Sequence, residues 1–158
     1  MIDSEDPDEI SYIEELFRRA EEGDLEALYE KGALFDKGDC VEIDKAKASH
    51  IFKEAADKGH AHSMWIHACE LLWGLGTFPQ SITDGMRYLN SAIEKGSAQA
   101  CITKARLHLI GELGVEKDIE KSCDFRKLAL QFDKDIYDPL SSEEYIERIK
   151  NAASGNAT

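Results

Sequence analysis

Histidine is the side chain of this sequence that most readily suggests chemistry, because it binds metals and moves protons near neutral pH. The histidines that a metal site would use recur along the middle of the chain: His60, His62, His67 and His108. A zinc site needs three or four converging ligands, and no cysteine or carboxylate joins these histidines at a ligand spacing. We therefore expect no metal and no other cofactor.

Catalytic arrangements are equally hard to find. No glycine-rich phosphate loop follows a strand, and no serine or cysteine stands in a motif typical of a nucleophile. Carboxylates are abundant, but they cluster on a surface helix, whereas acid–base chemistry needs a pair in a cleft. We expect a protein that is not an enzyme; the alternative is a hydrolase or metal enzyme hidden within a repeat architecture.

The cysteines follow no close-pair spacing, at Cys40, Cys69, Cys101 and Cys123. The N-terminus lacks the positive and apolar regions of a signal peptide, and no stretch is apolar enough to span a membrane. These features favour free thiols in a reducing cytoplasm.

Negative charge dominates the 158-residue chain, whose formal net charge is −13. Most of that charge lies in residues 1–26, which hold eleven acids against two arginines. An acidic surface repels phosphate backbones, so we expect neither nucleic-acid nor membrane binding. It suits a basic protein partner, although solubility alone is a sufficient explanation of the charge.

A sequence pattern recurs about every 36 residues and predicts the helices that would position any site. This period is typical of stacked helical hairpins. The repeats cover residues 23–59, 60–96 and 97–133. Small residues recur in register within them: Ala27, Ser63 and Ala100; Gly32, Ala68 and Ala105; Ala48, Gly85 and Ser122; Ala55, Ala92 and Ala129. Such side chains allow paired helices to approach closely.

Each repeat predicts a helix, a turn and a second helix. In repeat one, Asp24 and Asp44 are N-caps and Gly38 ends the first helix. The later repeats predict helices over residues 60–73, 81–95, 97–110 and 118–132. Residues 1–22 predict an N-terminal capping helix that begins at Asp6–Pro7, residues 140–152 a C-terminal capping helix, and residues 153–158 a flexible tail.

The order of glycines and alanines resembles the Sel-one-like repeat (SLR) family, which is related to tetratricopeptide repeats. The residues that carry the resemblance lie in repeat one: Gly23, Ala27, Gly32, Gly38, Val41, Asp44, Ala48, Ala55, Ala56 and Gly59. The resemblance covers residues 23–133. It implies an all-α, short right-handed α/α superhelical solenoid that binds protein ligands on its concave face.

The chain departs from that family just before the small residue of the first helix of each repeat (Gly32, Ala68 and Ala105). The family usually has leucine at this position. Lys31, His67 and Lys104 stand there instead. We expect this basic column to be solvated or locally salt-bridged, with little effect on stability. Repeat two also lacks the valine and aspartate of the turn, where Thr77 and Ser81 stand nearby.

The family geometry also implies which side chains line the groove, because the first helix of each repeat faces inward. The predicted partner-binding residues are Tyr29, Trp65, Cys69, Leu72, Trp73, Ile102, Arg106 and Leu109. Aromatic residues with arginine are typical of binding hot spots. The alternative is that the tryptophans pack in the core or against the C-terminal helix.

These observations together favour a non-catalytic protein–protein interaction module, an adaptor that binds a protein or peptide in its groove. A narrower alternative is a small acidic inhibitor or immunity protein that neutralises a toxin or effector. A third is an assembly or regulatory subunit, including a homodimer that buries the same groove, although we favour a monomer.

Overall fold

A computed structural model describes residues 2–3 and 5–138, and its helices begin and end close to the predicted positions. The helices of this part of the chain are α1 Pro7–Glu21, α2 Leu25–Lys37, α3 Lys45–Asp57, α4 Ala61–Trp73, α5 Ile82–Glu94, α6 Ala98–Ile110 and α7 Ile119–Phe132. The predicted C-terminal helix, residues 140–152, and the tail lie outside the described residues. The chain forms two compact units, Met1–Ala100 and a second that begins at Cys101.

Side-chain caps fix where the helices begin. Asp24, Asp44 and Asp118 each accept a backbone N–H from the first turn that follows. Ser81 caps α5 in the same way. His60 uses an imidazole nitrogen for this purpose, with Nδ1 accepting the Ser63 N–H at 3.2 Å. The predicted caps at Asp24 and Asp44 are therefore present.

The turns between paired helices share one hydrogen bond. The N-cap residue of the second helix donates its N–H to a carbonyl of the first helix, from Asp44 to Phe35 at 2.9 Å and from Ser81 to Leu71 at 3.0 Å. Gly38 and Gly74 end the first helices with positive φ angles of 71° and 64°, a conformation that favours glycine. The turn is one residue longer in repeat two than in repeat one.

Within the first unit, each helix packs on its neighbour in the chain, from α1 on α2 to α4 on α5. The core side chains are mostly small or aliphatic: Leu16, Ala20, Ala27, Leu28, Phe35, Val41, Ala48, Ile51, Phe52 and Ala55. Residues before α1 join repeat one through an isolated bridge between Ile2 and Val41. Burial of these apolar faces against adjacent helices is what stabilises a repeat array.

Two glycines set the distance between helices of a pair. A Cβ at Gly32 would lie 2.7 Å from Cε1 of Phe52, and a Cβ at Gly85 would lie 2.7 Å from Cγ of Leu72. Any larger side chain would overlap these atoms. The small residues predicted at these positions therefore do allow close approach of α2 to α3 and of α4 to α5.

The second unit contains α7 and most of α6. Asp118 donates its N–H to the His108 carbonyl at 2.7 Å, which repeats the turn hydrogen bond of the first unit. The rings of His108 and Phe125 stack with centroids 5.7 Å apart. After α7, Arg126 Nε donates to Asp138 Oδ2 at 2.6 Å and holds the following segment.

No helix in the described part of the chain is long and apolar enough to cross a membrane.

Candidate functional site

A cluster of partly exposed rings lies in the first unit. It consists of Tyr29, His60, His62 and Trp65 and is called the Tyr29 cluster below. The Tyr29 ring stacks on His60 with centroids 5.2 Å apart and meets the edge of His62 at 5.0 Å. His62 lies 5.0 Å from Trp65. The structure thus links Tyr29 and Trp65, two of the predicted binding residues, through a histidine.

Repeat geometry places the members of the cluster. Tyr29 lies on α2, and His62 and Trp65 lie on α4, so the rings come from the first helices of successive repeats. His60 precedes α4 and is fixed by its capping bond to Ser63. Because His60 Nδ1 accepts that N–H, its proton is on Nε2, which lies 3.2 Å from Glu26 Oε2 and donates to it.

Carboxylates border the Tyr29 cluster. Burial, followed by the charges of Glu26 and Glu30, raises the pKa of Tyr29 above its usual value. Glu30 is oriented by Tyr12, whose hydroxyl donates to Glu30 Oε2 at 3.0 Å. Burial, with a smaller effect from His60, lowers the pKa of His62 against the opposing charge of Glu26, and this shift favours the neutral ring. The rings therefore lie in a negative field.

A stripe of three predicted residues continues along α4. Trp65, Cys69 and Trp73 follow one another at four-residue spacing, and each is partly exposed. Leu72 does not belong to this stripe, because its side chain is fully buried. It packs against Gly85 of α5, so its predicted place among the exposed binding residues is wrong.

The predicted residues of the second unit differ in exposure. Ile102 is partly exposed, and Arg106 is exposed and pairs with Glu112 at 3.4 Å. Leu109 is only 6% exposed, so it is a core residue and not the surface residue that the sequence predicts.

Comparison with solved structures identifies the architecture. A Sel1 repeat protein from Oxalobacter formigenes matches with a TM-score of 0.67 and 24% identity, over 74% of this chain and 46% of that one. A protective antigen of uropathogenic Escherichia coli strains, which displays an SLR fold, matches with a TM-score of 0.65 and 26% identity. This chain has the SLR fold. The predicted all-α solenoid class is therefore confirmed.

The chain spans less than half of the first of these SLR proteins and 25% of the second. No model of a known protein family matches the sequence, and no curated protein matches it either. The likeness thus establishes the SLR fold and does not identify a binding partner of this chain. SLR folds belong to the α-solenoids, whose stacked repeats form extended binding surfaces.

The basic column was expected to be solvated or locally salt-bridged, and its member His67 is buried beside Glu70. Its ring contacts the edges of Phe78 and Tyr88, with centroids 5.1 and 4.8 Å away. Nδ1 lies 3.1 Å from Glu70 Oε2, and Glu70 also accepts the hydroxyl of Ser49 at 2.7 Å. The other two column residues behave differently: Lys31 lies over the Phe17 ring, and burial lowers the pKa of Lys104.

A cavity of about 410 Å³ opens beside His67, lined also by Lys53, Phe78, Asp84 and Arg87. The two cations at its rim are both paired within the chain. Lys53 binds Asp57 at 2.5 Å, and Arg87 lies 3.4 Å from Asp84. Both cations of the lining are therefore engaged by carboxylates of the chain.

Metal-binding geometry is absent from the described residues, where no group of three His, Cys, Asp or Glu side chains is placed to hold an ion. His60 and His62 interact with rings and with Glu26 instead. The cysteines of the described chain are free thiols.

Proposed function

We propose that this SLR chain is a protein-interaction module that binds a protein or peptide partner through the first-helix face of its first unit. The surface is centred on the Tyr29 cluster and continues along Cys69 and Trp73. The observation that carries the proposal is the grouping of Tyr29, His62 and Trp65, three aromatic side chains that remain partly exposed.

Aromatic rings of this kind suit binding for a physical reason. They bury a large area while few rotatable bonds are immobilised, and so they are enriched at the centres of interfaces. The cluster is also held in place before a partner arrives, since Tyr29 packs on Phe52 and His60 is fixed as an N-cap. Such preorganisation reduces the entropy lost on binding.

Other aromatic side chains of the first unit have evident structural roles. Phe35 and Phe52 belong to the core, and Phe17 stacks on Phe35 at 6.0 Å. Tyr88 is buried, and its hydroxyl donates to Asp57. Tyr12 is exposed as well, and its hydroxyl donates to Glu30. The Tyr29 cluster differs from these residues in that several partly exposed rings contact one another.

The test is capture of partners from the source cells by the purified chain. The double variant Trp65→Ala/Trp73→Ala should retain the helical circular dichroism spectrum and lose the captured protein. A matched control is Ile82→Ala, which truncates an exposed apolar side chain at the start of α5. Capture by the control should equal that of the unchanged chain.

Retention of the same partner by the tryptophan variant would refute the assignment of this face. If the Ile82→Ala variant also lost the captured protein, the interface would include α5. Light scattering at two concentrations adds a further check, because self-association through the Tyr29 cluster would identify a second copy of the chain as the partner.

A further inference from the structure

We propose that the Tyr29 cluster recognises an arginine side chain of a basic partner segment, with Glu26 as its principal carboxylate contact. This inference rests on the proposed function and specifies its partner chemistry. The guanidinium would lie against the rings of His62 and Trp65 while it donates hydrogen bonds to Glu26. Arginine fits better than lysine, because its planar group both stacks on rings and pairs with carboxylates.

The carboxylate of Glu26 has capacity for such a contact. Its side chain is 63% exposed, and one oxygen accepts a hydrogen bond from His60 Nε2 at 3.2 Å. An ionised carboxylate has about four acceptor sites, so most remain open to a partner. The hydrogen bond from His60 also orients Glu26 beside the rings.

The rings supply the second part of the arginine site. A cation over an aromatic face is attracted by the ring quadrupole, most strongly over tryptophan. His62 and Trp65 lie 5.0 Å apart with their planes inclined by 51°. The lowered pKa of His62 favours its neutral form, which reduces positive charge in this part of the cluster.

Two cations of α1 and α2 have partners of their own, while a third, Lys95, has its ammonium group beside Gly59, the residue before His60. Arg19 lies close enough to Glu30 to interact with it, but its guanidinium binds Asp24, with Nε 3.0 Å from Oδ2. Lys31 lies over Phe17 at 4.7 Å. Glu26 and Glu30 therefore give the Tyr29 cluster a negative charge that complements a basic segment.

The experiment compares two peptides that differ in charge alone. One is a glycine–serine peptide with spaced arginines, and the other carries citrulline, the neutral isostere, at the same positions. Binding to the full chain is followed by tryptophan fluorescence and by amide chemical shifts. The arginine peptide should bind at least about fivefold more tightly than the citrulline peptide, with shifts at His62 and Trp65.

A pair of variants separates local recognition from general charge attraction. Glu26→Gln should reduce binding of the arginine peptide by about fivefold or more, since a charged hydrogen bond is lost. Glu54→Gln is the control, because it removes one exposed carboxylate on α3 that pairs with Lys58. Equal effects of the two variants, or equal affinity of the two peptides, would overturn the proposal.

Failure of this inference is distinguishable from failure of the proposed function. If the tryptophan variant loses its cellular partner while the arginine and citrulline peptides bind equally, the face binds protein by other chemistry. If the arginine peptide shifts amides of α1 and leaves the cluster unchanged, the acidic N-terminal segment is the site, and the inference is wrong.

Discussion

Individual side chains fix the beginnings of the helices, and two of them also contribute to the response of the fold to acid. Hydrogen bonding from Arg19, followed by the Ala27 N–H, lowers the pKa of Asp24. The N–H of Lys121 is the main cause of the lowered pKa of Asp118. Both carboxylates are thus stabilised in their ionised form by the folded chain.

The consequence is a loss of stability in acid. Because the folded-state pKa values are lowered, the unfolded chain takes up protons first, and this stabilisation is lost as pH falls below about 4. The double variant Asp24→Asn/Asp118→Asn keeps a hydrogen-bond acceptor at each cap, but its asparagine side chains do not take up a proton in this pH range. Urea denaturation between pH 7 and pH 3 should show a weaker pH dependence for this variant than for a Glu94→Gln control. An unchanged dependence would contradict the assigned caps.

Thiol reactivity gives a second test at the residue scale. Cys101 is fully buried, and burial raises its thiol pKa to about 11, whereas Cys123 is exposed. The thiolate is the reactive form, so iodoacetamide should modify Cys123 in the folded chain and Cys101 only after unfolding. Peptide mass spectrometry measures both rates. Comparable rates would show that the burial of α6 is wrong.

At the scale of helices, the small residues predicted the pairing, whereas two large residues, Leu72 and Leu109, were predicted at the surface and are buried. The repeat register located Gly85 and Ala68 correctly at helix contacts, since periodicity reports which positions face a neighbour. Leu72 lies only about 20° around the helix from Trp65, yet it is buried. The difference comes from the α5 crossing at Gly85, a tertiary contact that periodicity does not specify.

Gly85→Ala tests that contact. A new Cβ would lie 2.7 Å from Leu72 Cγ and 3.1 Å from its backbone nitrogen. Overpacking costs about 1–3 kcal/mol, and the better helix propensity of alanine offsets about 1 kcal/mol. The free energy of unfolding should therefore fall by about 1 kcal/mol in urea denaturation. A more stable variant would contradict the close packing of α4 and α5.

His67 and Glu70 form a buried pair within α4, with side chains 2% and 15% exposed. The variants His67→Leu, Glu70→Leu and the double variant form a thermodynamic cycle. We expect a coupling energy of about 1 kcal/mol, because each single variant removes this contact, and Glu70 then keeps only its hydrogen bond from Ser49. Additive effects in urea denaturation would show that the pair does not interact.

For the whole molecule, the SLR fold was predictable because its period, glycines and caps are local features of the sequence. The surface that we propose for binding was predictable only in part. Tyr29 and Trp65 were placed by repeat position, whereas the contribution of His60 and His62 was missed. The sequence suggested a role for these histidines only as metal ligands, because their contacts with other rings depend on side-chain packing between α2 and α4.

The most direct test of the proposed binding surface is photocrosslinking from a residue of the Tyr29 cluster. The photoreactive residue p-benzoylphenylalanine would replace Trp65 in one protein and the exposed Glu54 of α3 in another, both expressed in the source cells. We predict a partner adduct from position 65, and no adduct from position 54. An adduct from position 54 alone, or none from position 65 while the partner still co-purifies, would contradict a binding surface at the Tyr29 cluster.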